Sequence, residues 1–367
     1  MHRQCRDDRL GGDRTLSCRA PRRHDARGTP PLASGPARAR HAWIGPEGSQ
    51  GMSEIAVLGA GAFGTALAIS LARDGRSVTL WGRDVADMAQ RRENRRRLPG
   101  FAFPEALAVT PDLAEAARAP IVLLALPLQR LASFLAEHGA LFPDQALVCC
   151  AKGVDRATGL GASEIIARAC PGARPAVLSG PSFAVDIAAG LPTALTIAAA
   201  DPEPLQHALT TSNIRLYRTT DMIGVELGGA LKNVVAIACG ITIGAGLGES
   251  ARAALMTRGY AEMNRFAQAR GARPETLSGL SGLGDLALTC TSEKSRNFSF
   301  GLALGRGAPP PEGVTIEGQA TAAAVSDAAR AAGLEMPIAD NVVAVLEGRI
   351  TIGQAVETLL SRPLREE

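Results

Sequence analysis

Apolar positions follow two patterns along the chain. From residue 54 to about 220, short apolar runs end in glycine or a loop and give way to stretches with helical spacing. Ile55-Ala56-Val57-Leu58 reads as a strand entering glycines, and Ala62 to Arg73 as a helix closed by Gly75. Ser77-Val78-Thr79-Leu80-Trp81 is the next strand. Such a β-α-β unit implies parallel strands joined by a right-handed crossover. An Arg-rich helix is expected over 84–97, ending before Pro99. Strands at 120–126, 146–151 and 175–179 then alternate with helices near 128–138 and 161–170. Near-continuous apolar strands between helices predict an α/β fold with a doubly wound parallel sheet.

From about Asp221 no strand pattern recurs. Ala, Leu, Glu and Arg repeat at helical spacing through 225–239, 251–270, 318–332 and 338–361. The expected organisation is an α/β domain over 52–220 and an all-helical domain over 221–367. An extension, 1–51, precedes both. No uninterrupted apolar run reaches the roughly 20 residues of a membrane-spanning helix, so no membrane span is expected.

Charge separates the extension from the rest. Residues 1–51 hold ten Arg against five acids, a net +5 within a chain of +3, which leaves the body at −2. Rich in Arg, Gly and Pro and without periodicity, the tail cannot bury a core. Its acids, Asp7, Asp8, Asp13 and Asp25, argue against a transit peptide. An arm for nucleic acid is the second reading. The favoured one is a start assigned too far upstream, with Met52 opening the compact chain. No two of the seven cysteines have metal-ligand spacing and no secretory apolar region precedes them, which points to reduced thiols in the cytoplasm. No metal is expected.

All but three of the 39 basic residues are Arg; the exceptions are Lys152, Lys232 and Lys294. An amine can shed its proton near neutral pH when desolvated, whereas a guanidinium cannot. Lys232 lies in the apolar stretch Val225 to Cys239, and Lys152 follows a predicted strand at its carboxyl end, where ligands bind in open α/β sheets. Snorkelling to water is the plainer fate for a lysine in such a helix. Gly59-Ala60-Gly61-Ala62-Phe63-Gly64 fits the dinucleotide fingerprint in its required strand-turn-helix setting. Past the second strand, Arg83 suits the 2′-phosphate of NADP, while Asp84 keeps NAD open. Arg296, between Ser295 and Asn297, suits a phosphate. The body's two histidines, His138 and His207, fall in surface-like helices, so histidine-based hydride or acyl chemistry has little support.

In this order, seven segments resemble bacterial NAD(P)-dependent glycerol-3-phosphate dehydrogenases over nearly all of 54–361. They are Gly59 to Ala68, Ala151-Lys152-Gly153, Ser179 to Ala184, Gly224 to Asn233, Ala251 to Gly259, Gly282 to Leu286, and Ser295 to Asn297. The resemblance implies a Rossmann domain followed by a helical domain of the 6-phosphogluconate-dehydrogenase-like type, with sn-glycerol 3-phosphate and dihydroxyacetone phosphate bound between them. It implies Lys232 as proton acceptor for the C2 hydroxyl, with Lys152, Asn233, Asp285 and Thr289 around the reacting end. It places Ser295, Arg296 and Asn297 on the phosphate, with Gly180 and Ser182 nearby. Gly59, Gly61, Ala62, Phe63, Gly64, Arg83, Lys152, Ala184, Arg296, Thr315 and Glu317 would line NAD or NADP. A homodimer supplying glycerol 3-phosphate for phospholipid synthesis is the implied setting, with no nucleic-acid partner. Two positions depart from the family's pattern: Ile243 stands where Asp is usual, and Gln319 follows Gly318 where Arg is common. The runner-up is a hydroxy- or keto-acid dehydrogenase of the same architecture. A catalytically silent nucleotide-binding regulator is the alternative of another class.

Overall fold

In a computed structural model, residues 54–309 and 316–361 are described, and all belong to one compact unit. The readings of the tail and of Thr315 fall outside them. Among the described residues one sheet has eight strands. These are β1 (Ile55–Leu58), β2 (Val78–Trp81), β3 (Leu107–Thr110), β4 (Ile121–Leu124), β5 (Ala146–Cys149), β6 (Arg174–Ser179), β7 (Thr193–Ala199) and β8 (Ile214–Thr219). Their spatial order is β3-β2-β1-β4-β5-β6-β7-β8. Alternate side chains serve opposite faces, as the pleat dictates. Ile55, Val57, Ile121 and Leu123 enter one core, while Ala56, Leu58, Val122 and Leu124 enter the other. Burial on both faces explains why these strands read as unbroken apolar runs.

The interleaved helices are α1 (Ala62–Arg73), α2 (Ala86–Arg91), α3 (Leu113–Ala116), α4 (Leu128–His138), α5 (Ala162–Ala169), α6 (Ala184–Ala188) and α7 (Glu203–Leu209). The Rossmann order of a parallel sheet holds from β3 to β6; β7 then runs antiparallel to β6, and β8 parallel to β7. The expected Arg-rich helix is corrected to the short α2. Arg92 turns left-handed (φ 55°), and the buried Asn94 donates to the Ala60 carbonyl (3.0 Å) and Thr65 Oγ1 (2.8 Å). Satisfying that amide outweighs continuing a solvated Arg-rich helix.

The second half is helical: α8 (Met222–Gly244), α9 (Gly248–Ala269), α10 (Pro274–Ser278), α11 (Asp285–Cys290), α12 (Arg296–Gly305), α13 (Glu317–Ala331), α14 (Pro337–Leu346) and α15 (Ile352–Leu360). A single π-helical turn, Leu280–Gly284, leads into α11. The expected helix over 338–361 is two. Gly348 takes φ 69° after α14, and Thr351 opens α15 with a capping box to Gln354.

Asp221 caps α8 by accepting from Gly224 N (2.8 Å). With 23 residues, α8 is long and apolar enough to cross a membrane, which corrects the expectation that no segment is. Its most apolar window is 89% buried inside the protein, as a central core helix requires. Glycines let α12 lie against it main chain to main chain. A Cβ on Gly240 or Gly244 would strike the Phe298 or Leu302 carbonyl, and one on Gly301 or Gly305 the Ile237 or Ile241 carbonyl.

Glu262 of α9 caps α14 from outside that helix, accepting from Ile338 N (2.8 Å) and Ala339 N (3.4 Å). Burial pushes its carboxyl up to about 7 against those two bonds. A raised folded value means this carboxyl's contribution falls as pH rises towards 7. Glu262→Gln is expected to flatten the pH dependence of stability between pH 5 and 8 in urea unfolding. Glu262→Ala, which leaves the helix end uncapped, is expected to cost about 1–3 kcal/mol.

Candidate active site

The glycine turn joins β1 to α1. Gly59 takes φ 122° with the Ala125 carbonyl where a side chain would stand, and a Cβ on Gly64 would strike the Gly59 carbonyl. These two glycines weld turn, helix and strand together. Gly61 differs: nothing lies within 4 Å of its would-be Cβ. It is also the N-cap of α1, with no side-chain cap, so the first-turn N–H groups have no capping side chain. That is the cradle a pyrophosphate needs.

Ala62 and Phe63 are half-buried against the sheet core at this turn. Leu58 pairs with Trp81, so Arg83 and Asp84, both exposed, follow β2 beside the turn. Ala184 begins α6, half-buried. Arg296 and Glu317 meet at 3.4 Å.

The strand ends deliver the other half. Lys152 follows β5, and Gly180 follows β6 with φ 143°. Lys232 lies in mid-α8, only 6% exposed. Both amines converge on Asp285, the first residue of α11, which is 1% exposed. Lys152 Nζ donates to Asp285 Oδ2 (2.5 Å) and to the Gly180 carbonyl (3.1 Å). Lys232 Nζ donates to Asp285 Oδ1 (2.6 Å) and Thr289 Oγ1 (2.7 Å). Burial lowers Lys232 to about 8; Asp285 opposes that shift and Lys152 adds to it. A lysine so placed exchanges its proton near neutral pH. Its neighbour Asn233 is buried, and its Nδ2 has no partner among the described residues, leaving a donor for a ligand.

The residues expected at the phosphate are engaged locally. Ser295 caps α12 by accepting from Phe298 N (3.3 Å), and Asn297 accepts from Gly318 N (3.0 Å), which leaves its amide N–H groups. The Arg296 side chain is more than half exposed. Ser182 is half-buried beside Gly180 and donates to its carbonyl (3.3 Å). The sequence reading did not foresee that Lys294 bridges to Asp186 (3.1 Å) and stands 5.6 Å over the Phe183 ring. It also missed Ser179, whose buried Oγ lacks a partner and faces Gly229 of α8. Only the third dimension brings these together.

A glycine cradle for a dinucleotide and a desolvated lysine on a buried carboxylate define a nicotinamide-dependent dehydrogenase. Models of the N- and C-terminal parts of NAD-dependent glycerol-3-phosphate dehydrogenase match residues 54–204 and 221–357. The chain belongs to that family. It is 61% identical over 316 residues to glycerol-3-phosphate dehydrogenase (NAD(P)+) of Paracoccus denitrificans, covering 85% of this chain and 99% of the relative. The Ruegeria enzyme of the same name is 58% identical, with the same shares covered. The crystal structure of glycerol-3-phosphate dehydrogenase from Coxiella burnetii superposes with a TM-score of 0.80 at 40% identity, over 85% of this chain and 99% of that one.

The glycine contacts separate binding from folding. Gly61→Ala is expected to leave the melting temperature unchanged while weakening NADPH, followed by fluorescence titration, at least about tenfold, or 1.4 kcal/mol. Gly64→Ala, whose Cβ meets main chain, is expected to lower the melting temperature as well.

Proposed function

We propose that this chain interconverts sn-glycerol 3-phosphate and dihydroxyacetone phosphate with NAD(P), using Lys232 as the acid/base. The observation that carries the reading is the buried Lys232–Asp285–Lys152 cluster, with Asn233 Nδ2 unpartnered beside it. Gly59, Gly61, Gly64, Ala62, Phe63, Arg83, Ala184 and Glu317 would hold the dinucleotide, which when bound accepts or returns the hydride of C2. Lys232 takes the proton from the C2 hydroxyl in oxidation and returns it to the carbonyl oxygen in reduction. Lys152, held by Gly180 O and Asp285, offers its remaining N–H to the same oxygen. Thr289 and Asp285 fix the Lys232 ammonium in place, so its proton leaves along one direction. Ser182, Ser295, Arg296 and the Asn297 amide would take the phosphate. The setting this reading implies is a cytoplasmic homodimer feeding phospholipid synthesis; the five described cysteines, all free and buried, suit a reducing compartment.

The test follows NADPH, then NADH, on adding dihydroxyacetone phosphate. Lys232→Ala is expected to lower kcat by about 10²–10⁴-fold with NADPH affinity retained; near-normal turnover would discard the assignment. Because oxidation needs the free amine, kcat/KM for glycerol 3-phosphate is expected to rise with pH and level off above about 8. Reduction needs the ammonium and is expected to fall over the same range. The ratio of NADPH to NADH rates in Arg83→Ala reads the part of that guanidinium in cofactor choice.

A further inference from the structure

Helix α5 begins without a cap of its own. Its N-cap is Gly161, extended and without a side chain. The missing acceptor comes from α8: Ser163 N donates to Glu226 Oε1 (2.6 Å), and Ser163 Oγ to Glu226 Oε2 (3.1 Å). The Glu226 carboxylate occupies the place that a Cβ on Gly161 would take. A glutamate is thus carried across to cap a helix 63 residues away in sequence.

The placement is informative. Glu226 and Gly229 stand at i, i+3 on α8, and so do Gly229 and Lys232, so Gly229 neighbours both. Gly229 lies on the Lys152 stem, with Lys152 Cγ 3.4 Å and Ser179 Oγ 2.6 Å from its would-be Cβ. Two turns of the helix therefore carry a cap, a close approach and the acid/base. The segment between Lys152 and α5 is stiff. Asp155 N bonds the Leu160 carbonyl (3.0 Å), Asp155 Oδ2 accepts from Thr158 N (2.9 Å) and Oγ1 (2.7 Å), and Gln129 Nε2 bonds the Val154 carbonyl (2.8 Å). These bonds tie the loop between Gly153 and Gly161 to itself and to α4.

We propose that Glu226 is a positioning residue: by capping α5 from α8 it fixes the Lys152 loop relative to Lys232, and so sets the spacing of both amines on Asp285. The proposal rests on Lys232 being the acid/base. Burial raises the Glu226 carboxyl to about 7, against the Ser163 and Ala162 N–H groups and with Glu164 as the neighbouring like charge. A neutral side chain with one acceptor should therefore serve nearly as well.

The test compares Glu226→Ala, Glu226→Asp and Glu226→Gln in the full chain. The alanine and the shortened aspartate are expected to lower kcat by about 10- to 100-fold with KM for NADPH unchanged, as small misplacements do; glutamine is expected to restore most of it. A readout free of turnover comes from the lysines, of which the chain has three. Under mild amine acylation followed by peptide mapping, Lys152 is expected to label several-fold faster in Glu226→Ala and Glu226→Asp, with exposed Lys294 unchanged as internal standard. With Lys152 farther off, the pH limb of oxidation is expected to move up, since Lys152 helps lower the Lys232 value. Wild-type Lys152 labelling in both variants overturns the proposal, as does a kcat loss that glutamine does not restore. If the alanine variant does not fold, the aspartate variant decides alone. Failure of the acid/base reading shows separately, as normal turnover in Lys232→Ala.

Discussion

One buried carboxylate between two amines organises the molecule. Asp285 can neutralise one ammonium but not two, and removing all three charges from water is costly. The strain falls on Lys232, the more deeply buried amine, which is brought to about 8. The three groups arrive from three places: the loop after β5, the middle of α8 and the first turn of α11. No short segment of the chain could bring them together. The sheet's strand ends, the long helix and the π-helical turn before Asp285 are each constrained by that meeting.

Helix α8 has two roles that would normally conflict. It is the central core helix, apolar enough to resemble a membrane span, and it carries a charged group at its midpoint. Glycines reconcile the two. Gly229 admits the Lys152 stem, and Gly228 admits the Ser281 main chain, so the polar cluster is reached without opening the core.

Much of this was legible in the sequence, and the reason is local. The β1-α1-β2 turn announces itself because its glycines have distinct duties within six residues. Lys152 and Lys232 stand out because an Arg-rich chain has so few amines. What escaped was non-local. The Arg-rich segment after β2 reads as a helix until Asn94 finds acceptors on the glycine turn. β3 is an edge strand of four residues, and β7, with its Thr and Ala, carries no strong period. Nothing local marks Glu226, because its partner Ser163 lies on another element.

The glycine-to-glycine seam between α8 and α12 has a mechanical meaning. At these four glycines main chain meets main chain, so there is no rotamer to relax there and little room to slide. Lys232 rides on one helix and Ser295 to Asn297 on the start of the other, so a shift of either helix would carry both sets of side chains. On the sheet side, by contrast, Phe183 and Asp186 meet Lys294 through an exposed ion pair and a ring contact, a joint far easier to break and reform than the glycine seam.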